Sequence, residues 1–258
     1  MTRIAVILFP GTNCEEETKR AVESVGMESD IVRWNARKGL EDYDGYILPG
    51  GFSYEDRVRA GVIAAQDRLM DTIREQAKSG KPVLGICNGA QVLIETGIVP
   101  GLEEKVEMAL APNINLKVGG FYCTWTYVKN EPGKNTNAFN RSLENNEIIP
   151  IPIAHGEGRF TTRDSALLEK LKQNKQVVFR YCDRESRTEE FPINPNNSLF
   201  NIAGICNPKG NVLAMMPHPE RASWNSQIPL SYRTGKDSPA RKIFQSMKEH
   251  IEEGSDGN

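Results

Sequence analysis

The sequence has no C-x-x-C pair, no G-x-x-x-x-G-K-[ST] phosphate loop and no apolar run long enough to cross a bilayer. Each absence removes a class of protein. The five cysteines, at positions 14, 87, 123, 182 and 206, are odd in number and scattered. That fits neither a disulfide framework nor a zinc site, so no metal is expected, and the thiols are expected to be free in a reducing, cytoplasmic setting. No excess of one charge exists either: 32 Lys and Arg against 34 Asp and Glu leave a net charge of −2. This excludes the basic footprint of a general nucleic-acid or membrane-surface binder. The first apolar stretch stops at Pro10 with no cleavage site after it, and reads as a buried strand, not as a signal peptide. Histidine is scarce, at three residues, which makes any search for a general base short.

What is present is enough apolar material for a substantial core, 38% of 258 residues, without a break in composition. Residues 1–258 are therefore read as a single domain. The first half alternates short apolar runs at 4–9, 29–34, 45–48 and 83–86 with amphipathic stretches at 15–25 and 59–78, and a third helix is expected to open after Cys87 and end near Gly97. This is the pattern of βαβ units that build a mainly parallel central sheet with helices on both faces. The second half has shorter runs at 106–110, 120–129, 149–154, 176–181, 201–205 and 212–216, joined by Asn, Gly and Pro turns. They are expected to add antiparallel strands to the same sheet. Ser238 followed by Pro239 predicts the start of a final helix reaching about 252, with a frayed tail from Gly254 and a polar excursion at 130–147.

In Val83-Leu-Gly-Ile-Cys-Asn-Gly-Ala-Gln91 a cysteine stands where an apolar strand gives way to a helix. A sharp turn there lifts a nucleophile above the carboxyl edge of a sheet, and glycines two positions away on each side let strand and helix approach. A helix N-terminus also favours thiolate. A buried structural cysteine is the competing reading of Cys87. His218, in Met216-Pro-His-Pro-Glu-Arg221, is likewise presented after an apolar strand, with Glu220 placed to orient its ring. Cys87 would attack, His218 would move the proton and Glu220 would fix the tautomer. A histidine packed between two prolines is the alternative. His250 reads as a solvated helix position. His155, at the end of a third apolar run, fits a substrate contact and a structural histidine equally. Pro49-Gly-Gly-Phe-Ser53 lacks the phosphate-loop pattern, and with the N–H of Asn88 it could supply an oxyanion hole or simply a tight turn.

These residues resemble the class I (triad) glutamine amidotransferases through Pro49-Gly-Gly51, Gly85-Ile-Cys-Asn-Gly-Ala-Gln91 and His218-Pro-Glu220, in that family's order and spacing. Further matches, among them Phe9-Pro-Gly-Thr-Asn-Cys14, Gly50-Gly-Phe-Ser-Tyr54, Ile153-Ala-His-Gly-Glu-Gly-Arg-Phe160 and Asn194-Pro-Asn196, are similar to the branch of the family that serves purine synthesis as a separate glutaminase subunit. The resemblance implies a flavodoxin-like α/β fold, Cys87, His218 and Glu220 as the triad, and N–H groups of Gly51 and Asn88 as the oxyanion hole. It also implies Gln91, His155, Gly156 and Glu157 as residues lining the glutamine pocket. It further implies no cofactor in this chain, ATP and Mg on a large partner synthetase subunit, and a small accessory subunit in the same complex. Two departures stand out: Glu55 and Asn197 occupy positions where relatives carry glycine. Glu55, Asp56, Arg57 and Arg59 are candidates for the partner interface.

Overall fold

The computed structural model describes residues 1–36, 38–103, 105–115, 119–133, 137–233, 235 and 237–255. The chain begins with β1 (Arg3–Leu8), α1 (Glu15–Ser24), β2 (Glu28–Arg33) and β3 (Gly45–Leu48). It continues through α2 (Val62–Ala65), α3 (Arg68–Lys78), β4 (Val83–Ile86), α4 (Asn88–Glu95) and β5 (Ala109–Ala111). Then come β6 (Tyr122–Asn130), β7 (Ile148–His155), β8 (Arg159–Thr161), α5 (Ser165–Gln173), β9 (Val177–Cys182), β10 (Ile202–Cys206), β11 (Val212–Met215) and α6 (Lys242–Ser255).

Nine strands form one sheet in the order β2-β1-β3-β4-β11-β10-β9-β6-β7. The ladders from β2 to β11 are parallel and those from β11 to β7 antiparallel. Every residue of β3, β4 and β11 is buried, as expected for strands covered on both faces, and this is why they read as unbroken apolar runs. The consequence for function is directional. Since β3, β4 and β11 are mutually parallel neighbours, the turns after all three open on the same edge. Alternating antiparallel ladders then return β7 to the direction of β11, so His155 leaves the sheet at that edge as well.

The structure departs from expectation in several places. The segment read at 106–110 forms only β5, and it pairs with β8 in a separate two-stranded sheet, not in the large one. The helix expected over 59–78 is two helices: Asp67 interrupts it, its carboxylate accepting from the N–H of Leu69 to cap α3. Helix α5, capped in the same way by Asp164, was not anticipated. Ser238 caps by accepting from Ala240 N–H, as expected, but what it opens is a 3-10 turn at Pro239–Arg241; α6 follows from Lys242 and runs past Gly254, where fraying was expected, to Ser255, and the rest of the tail lies outside the described residues.

The excursion at 130–147, of which 134–136 lie outside the described residues, holds no helix or strand between β6 and β7 among those described. It is nonetheless packed: Ala138 and Phe139 are fully buried, and Ser142 bonds both Ser246 and Glu249 of α6. His250 on α6 is half-buried, not solvated. Burial lowers its pKa, and its Nε2 lies 3.5 Å from the carbonyl of Gly80.

Candidate active site

Cys87 is the residue between β4 and α4, with φ +50°, a left-handed conformation that costs a non-glycine residue on the order of 1–3 kcal/mol. The turn is held from several sides. The Cys87 N–H donates to Met215 O at 2.8 Å, tying the end of β4 to β11, and the Gly89 N–H donates to Pro49 O at 3.2 Å, tying α4 to the turn after β3. Close approach explains the glycines: a Cβ on Gly85 would lie 2.6 Å from Gly89 O, and one on Gly89 would lie 1.9 Å from Leu48 O. Both obstacles are backbone, so Gly89→Ala must push α4 off β3. A loss of about 1–3 kcal/mol in urea unfolding is expected, and an unchanged midpoint would contradict this packing.

His218 follows β11 and enters a 3-10 turn at Pro219–Ala222 that carries Glu220. Its Nδ1 is 2.6 Å from Glu220 Oε1, with His218 2% and Glu220 0% exposed. The N–H of His218 donates to Pro152 O at 2.9 Å, so β7, at the far end of the sheet, packs directly on the site. The Cys87 sulfur lies 3.5 Å from Ala154 O on the same strand. Burial alone would lower the pKa of His218; Glu220 and then Cys87 and Cys14 outweigh it and hold the ring well above 6.5. The ring therefore holds its proton more tightly than a free imidazole, and its Nε2 has no hydrogen-bond partner among the described residues. The three residues expected as a triad are brought together.

The Gly51 and Asn88 N–H groups are engaged by no carbonyl or side chain among the described residues, although their neighbours are. This is the state required of donors that wait for an anion. Between the two turns runs a polar chain. Asn88 Oδ1 accepts from Ser53 N–H at 3.0 Å, and Asn88 Nδ2 donates to Asp56 Oδ1 (3.1 Å) and Gln91 Oε1 (2.9 Å). Gln91 Nε2 in turn donates to Glu157 O at 2.7 Å. Gln91 thus holds the 155–158 segment against α4. His155 is 2% exposed, with Nδ1 3.1 Å from Asn113 Oδ1 and Nε2 without a partner among the described residues; burial and the charge of His218 push its pKa down to about 3, so it is neutral. The Gly156 carbonyl accepts from Asn113 N–H, and Glu157 Oε2 is buried without a partner among the described residues.

The loop expected as a charged interface is more mixed. Tyr54, Glu55, Asp56 and Val58 all have left-handed φ. Glu55 occupies a conformation that glycine enters freely, and it keeps its side chain in solvent, paired to Arg57 at 2.7 Å. Asn197 does the same with φ +61°. Arg59 pairs with the buried Glu95 of α4. Asp56, by contrast, turns inward, where burial and the charge of Glu157 raise its pKa to about 6 against the pull of Asn88. The folded state thus holds this proton more tightly than the unfolded chain. The stability it contributes is complete below about pH 4 and is lost as pH rises through 6. Asp56→Asn is expected to be the more stable form above pH 6, by about 1 kcal/mol or less for a half-exposed carboxylate. The gain should vanish near pH 4, and urea titrations at both pH values would show a constant difference if the assignment were wrong.

Two residues escaped the sequence reading as parts of the site. Asp56 stands in the sequence only as a candidate for the partner interface. Cys14 stands just before α1, is 1% exposed, accepts from Arg221 at 3.1 Å and sits beside the His218 ring. Its one sequence signal was membership of the Phe9–Cys14 match, which carried no role.

Residues 1–251 match the CobB/CobQ-like glutamine amidotransferase domain. The chain is 50% identical over 259 residues to the phosphoribosylformylglycinamidine synthase subunit PurQ of Methanothrix thermoacetophila, covering 97% of this chain and 98% of that protein. It is 42% identical over 252 residues to the subunit of the same name from Pyrococcus furiosus, covering 97% and 99%. Among solved structures it is similar to a chain of PurLQS from Thermotoga maritima, with a TM-score of 0.76, 35% identity and 97% and 99% coverage.

Proposed function

The chain belongs to the CobB/CobQ-like glutamine amidotransferase family, and we propose that it is the glutaminase subunit of a phosphoribosylformylglycinamidine synthase. The observation that carries the chemistry is the buried His218–Glu220 pair at the end of β11, beside the strained Cys87 turn of the neighbouring β4. The Cys87 thiolate attacks the side-chain amide carbon of glutamine. The tetrahedral oxygen takes its negative charge toward the free N–H groups of Gly51 and Asn88. Imidazolium at His218 gives its proton to the amide nitrogen as the C–N bond breaks, and ammonia leaves a glutamyl thioester. Water then adds to the thioester with His218 as base, and glutamate departs from Cys87. Gln91, His155, Gly156 and Glu157 line the glutamine pocket in this reading.

The ammonia passes to a large synthetase subunit that binds ATP and Mg and amidates formylglycinamide ribonucleotide, with a small accessory subunit completing the complex. Support for this division of labour comes from the names of the relatives and from the absence of a phosphate-loop sequence in this chain. No helix among the described residues is long and apolar enough to cross a membrane, which accords with work in the cytoplasm. The test is reconstitution with the synthetase. Glutamine should support ATP-dependent formation of the amidine, and diazo-oxonorleucine should label Cys87 and stop it. Glutamine consumption without that product would sink the purine assignment.

A further inference from the structure

Cys14, His218 and Glu220 come from two distant parts of the chain, yet a sulfur, a ring nitrogen and a carboxylate oxygen from them lie within 4.8 Å of one another, all buried. A tetrahedral zinc ion, bound at ~2.0–2.3 Å, holds its ligand atoms roughly 3.3–3.8 Å apart, so shifts of about 1 Å would close the set on a metal. Two further features point the same way. Glu220 Oε2 is buried without a hydrogen-bond partner among the described residues, so ligand capacity is left over on the Nδ1 side of the His218 ring, the side that faces Glu220. The donor types also suit a borderline-soft ion: thiolate, imidazole and carboxylate are the zinc ligands, whereas calcium and magnesium take oxygen. Arg221 donates to the Cys14 sulfur and pairs with Glu17 at 3.4 Å, and its partly exposed side chain is the group that must swing aside.

We propose that Cys14, His218 and Glu220 form an inhibitory binding site for a thiophilic divalent cation of the zinc class, with a fourth position left to water. Binding takes the thiol proton from Cys14 and the ring proton from His218. An ion on Nδ1, the nitrogen that faces Glu220, takes only that proton and keeps the ring from becoming imidazolium: Nε2 holds its remaining proton as a far weaker acid toward the departing ammonia and has no lone pair for water, so the glutaminase stops while the fold stays intact. Occupancy itself does not depend on the glutaminase reading; only the inhibition does.

Cobalt(II) and zinc titrations of the purified full-length chain separate the two. Cobalt should bind one to one and give a thiolate-to-metal charge-transfer band in the near ultraviolet. That band should persist in Cys87→Ser and disappear in Cys14→Ser, whose affinity for cobalt and zinc should fall at least about tenfold. Zinc should inhibit the wild-type glutaminase reversibly, with activity restored by EDTA, and whatever rate Cys14→Ser shows without metal should not fall further at zinc concentrations that silence the wild type. A band that survives Cys14→Ser, or that is lost with Cys87→Ser, overturns the site. Should Cys14→Ser fail to fold, the Cys87→Ser spectrum decides alone: a retained band supports the proposal and its absence ends it. Metal binding as described without inhibition of an active glutaminase would remove the inhibitory role of His218 occupancy.

Discussion

Cys87→Ala is expected to lower glutamine hydrolysis by a factor on the order of 10⁶, because removing the nucleophile of a triad leaves the other members without a reaction to assist. Substrate contacts remain, so glutamine should still bind. Ammonium salts supplied directly should still drive the synthetase in the reconstituted complex, which separates a lost nucleophile from a lost fold or lost assembly. Alanine also sits in the same left-handed conformation with a Cβ, so the backbone strain at position 87 is kept and the comparison isolates the sulfur. Ammonia release above about a hundredth of the wild-type rate would remove Cys87 from the mechanism.

Glu220→Gln is expected to cost on the order of 10⁴ in kcat, the scale seen when the acid of a triad becomes an amide. The carboxylate is fully buried, 2.6 Å from Nδ1, and it is the leading group that raises the ring's pKa against burial. Without that charge the ring gives up its proton at lower pH. The alkaline limb of kcat/KM, which reports loss of the imidazolium proton, should therefore move to lower pH. The same shift has a stability side. A histidine whose folded pKa is raised stabilises the fold below the unfolded value of 6.5 and loses that contribution as pH rises through the folded value. In Glu220→Gln this slope should flatten. A variant with a displaced ring but no change in proton affinity would lose rate without moving the limb, and that result would assign Glu220 to packing alone.

The parallel half of the fold was readable because its physics is local. Buried parallel strands such as Val83–Ile86 are continuous apolar runs, and the turns after β3 and β4 are marked by glycine. Cys87 and His218 could be found because each ends such a run. The break at Asp67 was hidden, since the apolar positions of α2 and α3 follow one another at helical spacing and only the capping bond reveals the interruption. Strands of three residues such as β5 and β8 are defined by their partner, not by composition, and no local pattern assigns them to a separate sheet. Helix α5 buries only Leu167 and Leu171, too short an apolar signal to stand out. The Cys14 cluster was out of reach for a different reason. Metal-ligand motifs are recognised by short spacings, and the three donors come from positions 14, 218 and 220.

The pairing of β4 with β11 brings Cys87 onto Met215, a residue made long after it. During synthesis the thiol therefore exists for well over a hundred residues without its base or the carboxylate behind it. In the proposed mechanism position 87 carries an unassisted cysteine until β11 inserts beside β4, so a half-made chain is expected to leave glutamine intact. Chain order thus acts as a safety interlock: the order of manufacture keeps the reagent and its activator apart until folding is nearly complete.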